Sequence, residues 1–165
     1  MKLKFFAWSL LLTALCSCES SDSNRVPLFG VELELNSAQW TTYGVFGYGD
    51  SRHFIRSERI PEGFPYTASS NTGFGGILLI SGTDNGFDYN SVLAYDLACP
   101  VEVPKISRVY IDPETFDAVC PKCHSHFNVC EGAGRAIAGP AREYKYDMRK
   151  YRVSPGQMGG YIVHP

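Results

Sequence analysis

The sequence has almost no net charge: fifteen Lys and Arg stand against seventeen Asp and Glu, a balance of −2 over 165 residues. Such a chain carries no long-range field to recruit nucleic acid or an acidic lipid surface, so neither is expected as a partner on charge grounds. It has no internal repeat, no amphipathic helix pattern longer than three turns, and no apolar run long enough to cross a bilayer. It also lacks the usual catalytic constellations. No Ser-His-Asp order, phosphate loop or carboxylate pair stands out, and Gly73, Gly75 and Gly76 do not sit between a strand pattern and a helix pattern. His53 and His164 are isolated and read as surface residues. Leu and Ala do not dominate either; ten Tyr, ten Phe, sixteen Gly and ten Pro favour strands and turns over helices. With 44% apolar and 19% charged positions the chain suits a single core.

The first residues bear on the compartment. Lys2 and Lys4 precede an apolar run, Phe5 to Leu15, whose length of about eleven residues matches a signal-peptide core and not a membrane span. The run ends in Leu15-Cys16-Ser17-Cys18. This resembles the lipobox of bacterial lipoproteins, and the resemblance implies removal of residues 1–17 and acylation of Cys18, since Leu15 is too bulky to precede an acylated Cys16. The alternative is a plain secretory signal with two incidental cysteines. A lipid on Cys18 would tether the protein to the membrane of the bacterial envelope, on its periplasmic or surface side, without spanning it. Residues 18–27 begin with the acidic stretch Glu19 to Asn24 and are expected to be a flexible tether; residues 28–165 are expected to form one β domain.

Within that domain, Val31 to Leu35 alternates strictly and predicts a strand with one wet face. Trp40 to Tyr48 is aromatic but broken by Gly44 and Gly47, and predicts an irregular strand. Ser51 to Thr72 follows no period and reads as a long solvated loop; its Arg52, His53, Arg56 and Arg59 offer a small basic patch as the functional alternative. Gly75 to Ile80 predicts a fully buried strand. Gly82-Thr83-Asp84-Asn85-Gly86 should turn it back into Val92 to Tyr95. Ile106 to Ile111 and Thr115 to Val119 form two more predicted strands across Asp112-Pro113. Tyr144 to Tyr151 suits an edge strand, and Tyr161 to Val163 should close a sheet.

One stretch suggests chemistry: Cys120 to Ala141, CPKCHSHFNVCEGAGRAIAGPA, with Cys99-Pro100 upstream. Each cysteine box follows a predicted strand and falls on a loop. Removal of Cys16 and acylation of Cys18 leave Cys99, Cys120, Cys123 and Cys130. In an exported protein these four read first as disulfide partners, with the pairing open. They also suit a soft metal: Cys99, Cys120 and Cys123, with His124, His126 or Cys130 as a further ligand, satisfy the sulfur and nitrogen preference of zinc. His124 and His126 can equally be solvent-facing loop residues.

The two boxes, the Phe127-Asn128-Val129 strand, the Gly132 to Gly134 turn and Gly139-Pro140-Ala141 together resemble the Rieske iron–sulfur domain, over roughly Gly75 to Val153. The resemblance implies an all-β, antiparallel sandwich with two cysteine loops at one tip, a [2Fe-2S] cluster, and an electron-transfer role beside a redox or protein partner in the envelope. Cys99 and Cys120 stand where that family has its thiolate ligands. Val101 and Cys123 stand where it has histidines, whereas a Rieske centre needs two imidazoles on its second iron. A cluster with thiolate in place of imidazole would have a lowered potential. The competing expectation is a cofactor-free, disulfide-bonded binding or scaffold lipoprotein on the same fold. Catalysis ranks last, because Rieske oxygenases need a second, mononuclear-iron domain for which this chain has no room.

Overall fold

The computed structural model describes residues 20–84, 88–156 and 159–165. The expected leader, Cys18 and the expected turn residues Asn85 and Gly86 lie outside them. The described fold is all-β, with 38% of residues in strands and 11% in helices. In chain order its elements are β1 (Val31–Leu35), α1 (Ser37–Tyr43), β2 (Ser51–Phe54), β3 (Asn71–Thr72), β4 (Ile77–Asp84), β5 (Asp88–Asp96), β6 (Tyr110–Ile111), β7 (Ala118–Val119), β8 (His126–Asn128), β9 (Arg135–Ala138), α2 (Pro140–Tyr144), β10 (Lys150–Pro155) and β11 (Tyr161–His164).

Two antiparallel sheets result. The larger runs β2-β4-β5-β10-β11-β1-β3, and the smaller runs β6-β7-β8-β9. The larger sheet curls until its ends nearly meet, where the Arg56 amide just beyond β2 reaches Thr72 Oγ1 of β3 at 3.3 Å. Its interior is filled by Leu33, Leu35, Phe54, Ile77, Leu79, Ala94, Tyr151 and Val163. The smaller sheet lies on the outside of β4 and β5, over Leu78, Ile80, Leu93 and Tyr95. The run ILLI of β4 is therefore apolar at every position because both of its faces are buried, Ile77 and Leu79 in one core and Leu78 and Ile80 in the other. Gly82 lets the second layer approach this strand: a Cβ there would overlap the Cys130 carbonyl.

Several expectations are corrected. The Trp40 region starts as a helix, because Asn36 accepts from the Gln39 amide at 2.9 Å while the Gln39 side chain accepts from the Asn36 amide at 2.8 Å, a complete capping box. Ser51 to Thr72 is not one loop; its ends are strands that pair with β4 and β1. Of its basic residues, Arg52 pairs with Asp50 and Arg56 donates to the Ser70 carbonyl at 2.7 Å. Tyr144 to Tyr151 is no edge strand. Pro140, pre-set for a first helical turn, begins α2, which ends on Lys145 in the left-handed region; β10 then takes an interior place between β5 and β11.

The expected flexible tether is also partly ordered. The Asp22 amide donates to the Lys145 carbonyl at 2.7 Å, the Asp147 amide returns to Asp22 at 3.0 Å, Arg149 donates to the Asn24 and Val26 carbonyls, and Val26 is fully buried.

Candidate metal centre

Two loops carry the site. The first leaves β5 at Asp96, a buried carboxylate whose oxygens accept from the amides of Phe74 at 2.9 Å, Gly75 at 2.9 Å and Ala98 at 2.8 Å, and from the Tyr151 hydroxyl at 2.6 Å. Burial raises the Asp96 pKa, and these donors oppose the rise. Ala98 is thereby fixed immediately before Cys99, whose own amide donates to Ser107 at 2.8 Å.

The second loop leaves β7 at Cys120. Its turn is closed by the His124 amide on the Cys120 carbonyl and the Cys120 amide on the Ser125 carbonyl, both at 3.0 Å. Ser125 is fully buried; its hydroxyl accepts from the Ala141 amide at 3.0 Å and meets Cys123 Sγ at 3.2 Å. The Gly-Pro-Ala stretch thus has a local task, placing the start of α2 under the cysteine loop. Gly139 sits at φ +74° against the backbone of His124 and Ser125, where a Cβ would come within 2.8 Å.

The loops meet as expected at one tip. Cys99 Sγ lies 3.6 Å from Cys123 Sγ, and the sulfurs of Cys99, Cys120 and Cys123 all fall within 4.8 Å of one another. All three are free cysteines; Cys99 and Cys120 are buried and Cys123 is half-buried. An ion pair between Lys122 and Glu102 spans from one loop to the other beside them. Three soft donors at this spacing can hold a metal ion. Tetrahedral zinc, with bonds of about 2.3 Å to sulfur, places its sulfurs roughly 3.8 Å apart.

The thiols differ in acidity. Cys120 is buried, which acts against ionisation, yet the amides of Cys123 and Lys122, the Ser107 hydroxyl and the Cys99 thiol all point at its sulfur and hold its pKa below the ordinary thiol value. Cys99 is pushed far up by burial and by its neighbours Cys120 and Cys123.

The remaining sequence candidates lie elsewhere. Among the described residues the sulfur cluster includes neither histidine. His124 is exposed at φ +54°, and His126 faces Asp117 at 3.7 Å. Cys130 points at the Phe116 carbonyl at 3.7 Å, and burial raises its pKa to about 11. Sequence reasoning missed Ser107 and Ser125, whose hydroxyls touch the Cys120 and Cys123 sulfurs at 3.6 and 3.2 Å, and Asp96, which fixes the first loop; no motif spacing announces any of them. Val101, partly buried against the same core, offers no donor atom. The chain matches no known protein-family model and no curated protein. No helix among the described residues is long and apolar enough to cross a membrane.

Proposed function

We propose that this chain is a lipid-anchored envelope protein whose Rieske-like scaffold holds one soft metal ion, zinc or iron, on Cys99, Cys120 and Cys123. The observation that carries the reading is the convergence of three sulfurs within 4.8 Å. A two-iron cluster fits less well. Its bridging sulfides hold the ligands of the two irons apart, whereas Cys99 and Cys123, which would serve different irons, lie 3.6 Å from each other, and position 101 supplies nothing to the second iron. Three protein ligands leave a fourth coordination position for water or an outside ligand. With iron in the site the module would transfer electrons to an envelope partner; with zinc it would brace the tip.

The 3.6 Å separation also favours a second reading, in which an oxidising compartment joins Cys99 and Cys123 after their sulfurs close to about 2.05 Å. Metal and sulfide analysis with intact-mass measurement on anaerobically purified protein separates the readings. One metal ion per chain is expected. Two irons with two sulfides would replace the single ion by a cluster, and a metal-free chain lighter by two hydrogens would select the disulfide scaffold.

A further inference from the structure

The near-zero net charge conceals a local asymmetry. Ser21, Arg135, Ala136, Arg142, Lys145 and Asp147 line an open cleft of about 550 Å³ beside the last turn of α2. Arg25 lies over the Tyr146 ring at 5.4 Å, and Arg149 holds the adjoining segment through the Asn24 and Val26 carbonyls, so five cations gather around this edge. The acidic groups nearby are Asp22, Glu143 and Asp147. Asp147 is buried and its carboxylate is taken by the Ser21 hydroxyl and the Ala136 amide; Asp22 accepts from the Asn24 amide. Tyr144, the residue before Lys145, is 56% exposed and packs on the Tyr146 ring at 5.6 Å.

The same edge receives the N-terminal segment. Only Glu19 and Ser20 separate Cys18 from Ser21, a reach of about 11 Å at 3.8 Å per residue. Given acylation of Cys18, on which this step rests, a lipid inserted in the bilayer holds this edge, and no other, against the headgroups. We propose that the Arg135, Arg142 and Lys145 cleft binds the phosphates of anionic phospholipids, with Tyr144 at the interface, so that the domain stands on the membrane in one fixed orientation. Attraction between bound cations and an anionic leaflet acts within about a Debye length, which this tether enforces. An aromatic ring with a polar tip suits the headgroup layer.

The test uses the mature protein isolated from its own envelope and added to vesicles of phosphatidylcholine alone or with phosphatidylglycerol. Amide hydrogen exchange over 135–147 should slow about tenfold with the anionic lipid, recover in 0.5 M salt, and leave β4 unchanged. The R135Q/R142Q/K145Q variant should lose the protection, while R59Q/K105Q, on exposed residues away from this edge, should keep it. Equal exchange with both lipids, protection that survives the triple substitution, or protection by inorganic phosphate with none by phosphatidylglycerol would overturn the proposal. Intact mass reports acylation separately. A chain without lipid on Cys18 would end the anchored reading, and the comparison of vesicles would still decide whether the cleft takes lipid phosphate.

Discussion

At Cys120 the backbone has done in advance what a metal requires of a thiol. Two amides and a hydroxyl already favour the thiolate there, whereas burial holds the proton on Cys99, so a metal held by these sulfurs would displace a proton from Cys99. Replacing Cys99, Cys120 or Cys123 by Ser should each abolish stoichiometric metal, read by elemental analysis, whereas Cys130→Ser should leave it intact. Cys130 should alkylate slowly at pH 8 and accelerate toward pH 11, because burial keeps it protonated at a pKa of about 11. His53 gives a second pH dependence. Burial, with the nearby Arg108 guanidinium, lowers its pKa below 6.5. The unfolded chain therefore binds more protons in the window between the lowered value and 6.5, so stability rises with pH across that window and falls on acidification. His53→Gln should flatten that part of the urea-midpoint profile. Asp96→Ala would strand the Phe74, Gly75 and Ala98 amides and should cost about 3–5 kcal/mol in urea unfolding, with the first cysteine loop the region that loosens most.

Among the elements, the strands with a clear alternation or a continuous apolar run were legible in the sequence: β1, β4, β5 and β11 fall where their periodicity puts them. The arrival of both cysteine loops at one end was legible too, from the strand that precedes each. What was hidden was hidden for physical reasons. The α1 segment reads as aromatic and β-prone, and only the Asn36 and Gln39 pair that caps it argues for a helix; Asn36→Ala should cost about 1 kcal/mol. β3 is two residues long, too short for any period to show, while β6 and β7 fall inside the predicted strands Ile106 to Ile111 and Thr115 to Val119 but keep only two residues each, where tertiary pairing defines them. The exclusion of His124 followed from a left-handed turn that no spacing announces. Gly139→Ala is the sharpest test at this scale. A side chain at φ +74° pressing on the His124 and Ser125 backbone should move the second loop and lower metal affinity at least tenfold, read by competition with a chelator.

For the molecule as a whole, β4 is a party wall between two rooms. Its odd positions close the barrel and its even positions floor the compartment that contains Cys99 and Cys120. A strand held from both sides cannot let one compartment melt while the other stands. Heat should therefore open barrel and cysteine tip in a single transition, and a metal at a thousand times its Kd, worth about 4 kcal/mol, should raise the melting temperature of both by about 10 °C. Near-ultraviolet dichroism of the barrel aromatics and release of the metal would trace one curve. An ion caught by a few atoms at the tip would thus set how long the far wall of the barrel survives.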